Sequence, residues 1–462
     1  MSFTANLDEI IDENRNGQLG SHLSWSRVQL ADVAEVLNGF PFDSDRFNAE
    51  AGHPVIRIRD VVRGTTRTFY SGAAPEGFWI DKGEILIGMD GDFNAAIWKS
   101  SRALLNQRVL RLKSQDDTMY DGRFLFHVIG GYLQAINAHT SSVTVKHLSS
   151  KTVLSIPLPL PPIEEQKRIA QKLDALLAQV DTLKARIDAI PALLKRFRKS
   201  VIHSAVIGRL SADLRVPIEK SEEQEQLGPL ELWREVALAS LGELSRGKSK
   251  HRPRNDSRLY GSAYPFIQTG DVANSRGTLT SSKVFYSEFG LKQSRLFPSG
   301  TLCITIAANI ADTAMLAIDA CFPDSVVGFI PNKDDCVAQF IKYVIDDNKE
   351  SLEALAPATA QKNINLKVLN QVKLRIPPIK EQTEIVRRVE QLFAYADQLE
   401  AKVAAAQKRI NALTQSLLAK AFRGELVPQD PSDEPASVLL DRIRAQRAAA
   451  PKPKRGRKAA TS

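Results

Sequence analysis

Between Ile169 and Val201 apolar residues return in steps of four, then three: Ile169, Leu173, Leu176, Val180, Leu183, Ile187, Ile190, Leu194, Phe197 and Val201. The same beat returns at Ile385, Val389, Leu392, Ala396, Leu399, Val403, Ala406, Ile410, Leu413 and Leu417. This is the a/d stripe of a coiled coil. It predicts two helices of roughly 40 residues, each rising about 60 Å. Each opens after a Pro-Pro pair (Pro161-Pro162, Pro377-Pro378), which suits a helix N-terminus, and closes at Gly208 or Gly424, which suits a left-handed C-cap. Pro191 removes one backbone hydrogen bond and predicts a kink in the first helix; its counterpart, Gln407, imposes none. A single apolar seam cannot remain in water, so each helix is expected to cover the other.

The stripe belongs to a longer repeat. Pro161 to Leu210 aligns without a gap with Pro377 to Leu426, and about a third of the paired positions are identical. The matches include Glu165/Glu381, Gln166/Gln382, Asp181/Asp397, Ser200/Ser416 and Gly208/Gly424. Residues 1–160 and 213–376 read as short β runs punctuated by Gly and Pro. They echo each other in order. Trp25-Ser-Arg-Val-Gln-Leu resembles Trp233-Arg-Glu-Val-Ala-Leu, and Pro54-Val-Ile-Arg-Ile-Arg-Asp-Val resembles Pro265-Phe-Ile-Gln-Thr-Gly-Asp-Val. Lys82-Gly-Glu-Ile-Leu-Ile resembles Ser299-Gly-Thr-Leu-Cys-Ile, while the residues between these landmarks diverge. The expected order is globule, long helix, globule, long helix, tail.

Composition narrows the class. The chain is 43% hydrophobic and 25% charged, ordinary for a globular protein. No apolar run approaches the roughly 18 residues of a membrane span. The opening MSFTANLDEIIDENRNGQ is acidic and lacks a signal-peptide core, so a cytoplasmic location is expected. Cys303, Cys321 and Cys336 are too few and too scattered for a disulfide framework or a zinc site. A net charge of +9 and a pI of about 9.3 invite a polyanion.

Catalytic signatures are wanting. Gly242-Glu-Leu-Ser-Arg-Gly247-Lys248-Ser249 matches a phosphate-loop pattern, but Lys250-His-Arg-Pro253-Arg is a poor helix start, so a strand-ending turn is expected. Gly88-Met-Asp-Gly-Asp92 lacks a full calcium loop and reads as a turn. There is no Asn-Pro-Pro-aromatic motif for base methylation, no Gly-rich dinucleotide fingerprint and no nucleophile–base arrangement. The basic clusters offer more. Arg57, Arg59, Arg63 and Arg67 crowd one β region; Arg246, Lys248, Lys250, Arg252 and Arg254 crowd a loop of the second half. Such groups neutralise phosphates, and Arg, Asn and Gln read base edges; a solvated charged face is the other account of each cluster. Lys146 and the run Gln361-Lys362-Asn363 sit in polar loops ahead of the two long helices and complete the candidate DNA contacts.

The paired PPIxEQ-heptad segments, the Pro191-Ala-Leu-Leu-Lys-Arg-Phe-Arg-Lys-Ser-Val run leading to Gly208-Arg-Leu, and Gly424-Glu-Leu-Val-Pro together resemble the specificity subunits of type I restriction–modification enzymes. Asp433-Glu-Pro-Ala-Ser-Val-Leu-Leu-Asp-Arg-Ile-Arg looks like that family's C-terminal helix, and the resemblance covers essentially the whole chain. It implies an α+β fold: two similar mixed α/β DNA-recognition globules separated by two long antiparallel coiled-coil helices. The expected division is target recognition domain 1 at 1–160, a central spacer helix at 161–212, target recognition domain 2 at 213–376, a distal spacer helix at 377–426, and a C-terminal helix with a basic tail at 427–462. It further implies a non-catalytic subunit that binds double-stranded DNA with a bipartite target, two modification (methyltransferase) subunits and restriction (helicase-nuclease) subunits. S-adenosylmethionine, ATP and Mg would belong to those partners, with no cofactor in this chain and no membrane. A stand-alone DNA-binding regulator and a coiled-coil protein adaptor are the competing readings.

Overall fold

The computed structural model describes residues 6–140, 146–214, 233–307, 309–354 and 363–449. The chain divides into two compact units, residues 1–187 with 405–462, and residues 188–404. The long helices run Ile163–Val206 and Ile379–Phe422. Each contributes one part to each unit.

In the first unit an antiparallel sheet is ordered Ala34–Asn38, Val109–Ser114, Ile85–Gly88, Ala95–Ile97. Ile85, Ile87, Leu110 and Leu112 alternate onto one face, as the two-residue period of a strand requires. They share a core with Phe124, Val128 and Leu133 of the helix Gly122–Ala138. A smaller sheet joins Phe47–Asn48, Phe69–Tyr70, His53–Ile56, Ala103–Leu105 and Trp79–Ile80. Ser26–Gln29 pairs antiparallel with Pro157–Leu160 and delivers the chain to the first long helix. The C-terminal helix Ala436–Ala449 returns to this unit, sinking Leu439 and Ile443 into the same core.

The second unit repeats this plan. Its sheet runs Gly242–Arg246, Val326–Pro331, Leu302–Thr305, Thr313–Leu316, and adds Thr278–Leu279 as a parallel edge strand. The helix Ala338–Asp347 covers it through Phe340, Ile341 and Val344. Arg234–Ala237 pairs with Lys373–Ile376 ahead of the second long helix.

The repeated Glu-Gln pair has a structural cause. Gln166 Oε1 accepts from the Asp121 N–H at 2.9 Å, and its Nε2 donates to Pro161 O at 2.9 Å. Gln382 Oε1 accepts from the Val337 N–H at 2.9 Å, and its Nε2 donates to Pro377 O at 2.9 Å. Asp121 and Val337 are the N-cap residues of the two sheet-covering helices. A carboxamide carries both N–H donors and a carbonyl acceptor on one side chain, which neither a carboxylate nor Leu does. Both glutamines are fully buried, and each clamps a long helix to its globule. Beside the first clamp, Glu165 Oε2 accepts from Trp25 Nε1 at 3.1 Å.

Within each unit the long helices run antiparallel. In the second, Arg198 reaches Asp397 at 2.7 Å and Glu400 at 3.3 Å, whereas the earlier Arg388 reaches the later Asp213, just beyond the C-terminal end of the first helix. In the first, Ile169 and Leu173 share a core with Ala421 and Phe422. The first helix continues through Pro191 as helix. Gly208 and Gly424 take φ of 73° and 72°, the left-handed conformation that a Cβ disfavours. The stripe is dry at Ile169, Leu173, Ile385 and Val389, where a globule adds a third layer. Leu183 and Leu413 lie outside those clusters and stay 49% and 46% exposed, because a two-helix seam covers less of each side chain.

Candidate nucleic-acid interface

The second unit's basic loop follows the strand Gly242–Arg246 and precedes a short 3-10 turn, Ser257–Leu259. No helix starts at Gly247-Lys248-Ser249, so the phosphate-loop geometry is not formed. Gly247 is required for another reason: a Cβ there would lie 2.3 Å from the carbonyl oxygens of Phe322 and Pro323.

Neighbouring backbone and side-chain groups pin the loop in place. Ser294 Oγ donates to Lys248 O at 2.8 Å, and Lys250 N donates to Gln293 O at 3.3 Å. Arg246 Nε donates to Asp324 O, and Arg254 pairs with the Asp324 carboxylate at 3.2 Å. The Arg252 guanidinium folds onto the loop itself, donating to Ser249 O at 2.7 Å and His251 O at 2.8 Å. Asp256 ties off the far end, accepting from Arg258 and His251; the Arg258 guanidinium holds its carboxyl well below the usual range. Lys248 and Lys250 are not buried and form no ion pair among the described residues. Of five cations expected to face phosphate, three also brace the loop and two are uncommitted.

In the first unit Arg57 lies with its guanidinium carbon 5.6 Å from the Phe47 ring centroid. Arg59 donates to Thr68 Oγ1 at 3.2 Å. Arg63 and Arg67 are exposed and make no ion pair among the described residues. Lys146 turns inward, donating to Asn137 O at 2.6 Å and Asn137 Oδ1 at 3.0 Å. Asn363 is exposed beside an isolated bridge to Ala307. Gln361 and Lys362 lie outside the described residues.

Charge-led reading passed over a cavity of about 270 Å³ in the second unit, lined by Ser249, Arg254, Tyr260, Gln268, Tyr286 and Ser325 among others. Tyr260 is 40% exposed, and its hydroxyl donates to Arg254 O at 2.7 Å. The sequence did carry a signal for it, since Pro265-Phe-Ile-Gln268 stands where the first half has Pro54-Val-Ile-Arg57. The remaining candidate motifs are structural. Asp90, in the Gly88–Asp92 turn, accepts His147 Nδ1 at 2.7 Å. All three cysteines are buried and free, and burial pushes the Cys336 thiol up to about 12. Among the described residues no cluster of His, Cys, Asp and Glu is placed to hold a metal ion, and no helix is long and apolar enough to cross a membrane.

The family model described as the type I restriction modification DNA specificity domain matches residues 23–192 and again residues 231–406. The specificity subunit of the type I restriction enzyme EcoBI from Escherichia coli is 42% identical over 476 residues, spanning 99% of this chain and 100% of that relative. The StySPI specificity subunit of Salmonella potsdam is 27% identical over 94% of this chain and 98% of its own length. Among solved structures, a chain from work on assembly and conformational transition of the type I R-M system superposes with a TM-score of 0.62 at 20% identity, covering 87% of this chain and 98% of that one. The HsdS subunit from Thermoanaerobacter tengcongensis gives a TM-score of 0.53 at 19% identity, covering 88% of this chain and 98% of that one. These two likenesses concern the fold.

Proposed function

We propose that this chain, which belongs to the type I restriction–modification DNA specificity family, reads a bipartite double-stranded DNA target with one globule per half-site. The carrying observation is the duplication of one fold with divergent loops. Equivalent strands, sheet-covering helices and Gln clamps recur in both units, while the basic clusters differ in sequence. A duplicated scaffold with unlike reading loops suits a target whose halves are unlike.

Recognition divides into positioning and reading. Lys248, Lys250, Arg63 and Arg67 are assigned to phosphates, where each contact releases condensed counterions and adds affinity without sequence information. The braced cations Arg246, Arg252 and Arg254 keep the second globule's loop in one shape, so that ordering it on DNA costs little entropy. Chemistry belongs to partner subunits. Two modification subunits would bring S-adenosylmethionine, and restriction subunits would bring ATP and Mg, to the DNA that this chain holds. The setting is the cytoplasm, where that DNA lies.

The test is reconstitution with the modification subunit. Adenine methylation should appear at one split sequence only when this chain is present. Methylation by this chain alone, or methylation without sequence preference in the complex, would overturn the reading.

A further inference from the structure

The two globules present one pair of side chains from one backbone position. In the first, Val55 N–H donates to Thr68 O at 2.9 Å, Thr66 Oγ1 donates to Val55 O at 2.7 Å, and the chain then turns at Arg57. In the second, Phe266 N–H donates to Val284 O at 2.8 Å, Ser282 Oγ donates to Phe266 O at 2.9 Å, and the chain turns at Gln268. Asp60 Oδ2 accepts from the Arg57 N–H at 3.0 Å; Asp271 Oδ2 accepts from the Gln268 N–H at 2.8 Å. These three bonds recur at equivalent places in the two scaffolds. The N–H of Asp60 and of Asp271 is taken by the backbone carbonyl of Arg57 and of Gln268, at 2.8 Å and 3.0 Å, not by their side chains. Among the described residues neither side chain forms a hydrogen bond or ion pair, so the donors and acceptors of both heads are left to a ligand, the Arg57 guanidinium meeting only the Phe47 ring face.

Each head has an aromatic neighbour from one equivalent place. Phe47 and Tyr260 both follow a 3-10 turn whose N-cap is an aspartate, Asp43 or Asp256. Phe47 lies under the Arg57 guanidinium, and Tyr260 lines the cavity that Gln268 also lines. Beneath both, Tyr70 and Tyr286 occupy matching cores. Ser249 and Ser325 add polar walls to the Gln268 cavity beside the apolar Phe266 and Pro323.

We infer that Arg57 and Gln268 are the equivalent base-reading residues of the two globules, Arg57 taking a guanine in one half-site and Gln268 an adenine in the other. The inference rests on the DNA-reading function proposed above and specifies its chemistry. Arginine presents two parallel donors that match guanine O6 and N7, whereas a carboxamide presents a donor and an acceptor that match adenine N7 and N6. The scaffold is shared, so the difference in the base chosen lies in the side chain. Phe47 limits the rotation of the guanidinium plane, which reduces the entropy lost when both donors engage.

The test uses the full chain in complex with its modification subunit. Wild type is selected against a randomised duplex library, and should return a two-part sequence with a critical guanine in one half and a critical adenine in the other. Arg57→Gln should shift that guanine toward adenine and leave the other half intact. Gln268→Arg should shift the adenine toward guanine, in the opposite half. Replacing the guanine or the adenine with its 7-deaza analogue deletes the N7 contact, and should weaken wild type by about five- to 150-fold. The 7-deazaguanine effect should vanish in Arg57→Ala, which removes both donors. The inference fails if both substitutions leave the selected sequence unchanged, or if both act on the same half. Should either substitution abolish binding, the wild-type duplexes decide: no fivefold effect of 7-deaza substitution at any guanine of one half or any adenine of the other overturns the inference. If wild type selects no two-part sequence, the proposed function fails first; a two-part sequence indifferent to Arg57 and Gln268 sinks this inference alone.

Discussion

Replacing Gln166 or Gln382 with leucine removes the clamp between a long helix and its globule while keeping side-chain volume similar. Gln166→Leu strands the Asp121 N–H and the Pro161 carbonyl; Gln382→Leu strands the Val337 N–H and the Pro377 carbonyl. Both glutamine side chains are fully buried, so water does not replace the broken bonds without local opening. Each unpaired buried group costs about 1–3 kcal/mol, giving about 2–6 kcal/mol for either substitution before relaxation. For units of this size each kcal/mol lowers Tm by about 2–4 °C, so a loss near the low end is still a drop of several degrees. The assay is urea denaturation with hydrogen exchange to locate the damage. Gln166→Leu should release amides of the helix Gly122–Ala138, and Gln382→Leu those of Ala338–Asp347. An unchanged midpoint would refute the clamp. So would a loss of protection in the helix of the other unit.

Three further outcomes are expected. Lys248→Ala with Lys250→Ala should flatten the salt dependence of DNA binding by up to about 0.9 for each phosphate no longer neutralised, whereas an unchanged slope would make both lysines solvated surface. Burial raises the Glu165 pKa, with Trp25 opposing, so the folded chain binds that proton more readily than the unfolded chain. Its ionisation therefore penalises the folded state: the penalty is absent below the unfolded value and grows as pH rises through the folded one. Glu165→Gln should remove that contribution, flattening stability against pH and raising it most at the neutral end, and a parallel-shifted profile would contradict this. Leu173→Ala, at a fully buried seam position, should cost about 2–5 kcal/mol, against well under that for Leu183→Ala at 49% exposure; equal losses would deny that the globule's third layer matters.

How legible the molecule was depends on the range of the interaction. Heptad spacing is local, so the two long helices, their starts after Pro-Pro and their ends near Gly208 and Gly424 could be read from the chain order of apolar residues. The duplication was legible too, because two copies of one fold place the same demand on equivalent positions, and Gln166 and Gln382 meet it with a residue type that few others replace. The family and its division of labour followed from those motifs in combination.

Tertiary structure decided the rest. Composition marks Arg246, Lys248, Lys250, Arg252 and Arg254 as one cluster, yet only folding shows Asp324 occupied by Arg246 and Arg254, Arg252 turned onto its own loop, and two lysines left over. Lys146 reads as a loop cation until the end of the helix Gly122–Ala138 brings Asn137 to its ammonium. Gln268 carries no charge and so gave no electrostatic signal; its place beside Tyr260 depends on strand pairings between residues far apart in sequence. Periodicity is written along the chain and survives without the fold. Whether a polar side chain is consumed by the fold or left to a ligand depends on which distant residues reach it, and that is settled only when the sheets close.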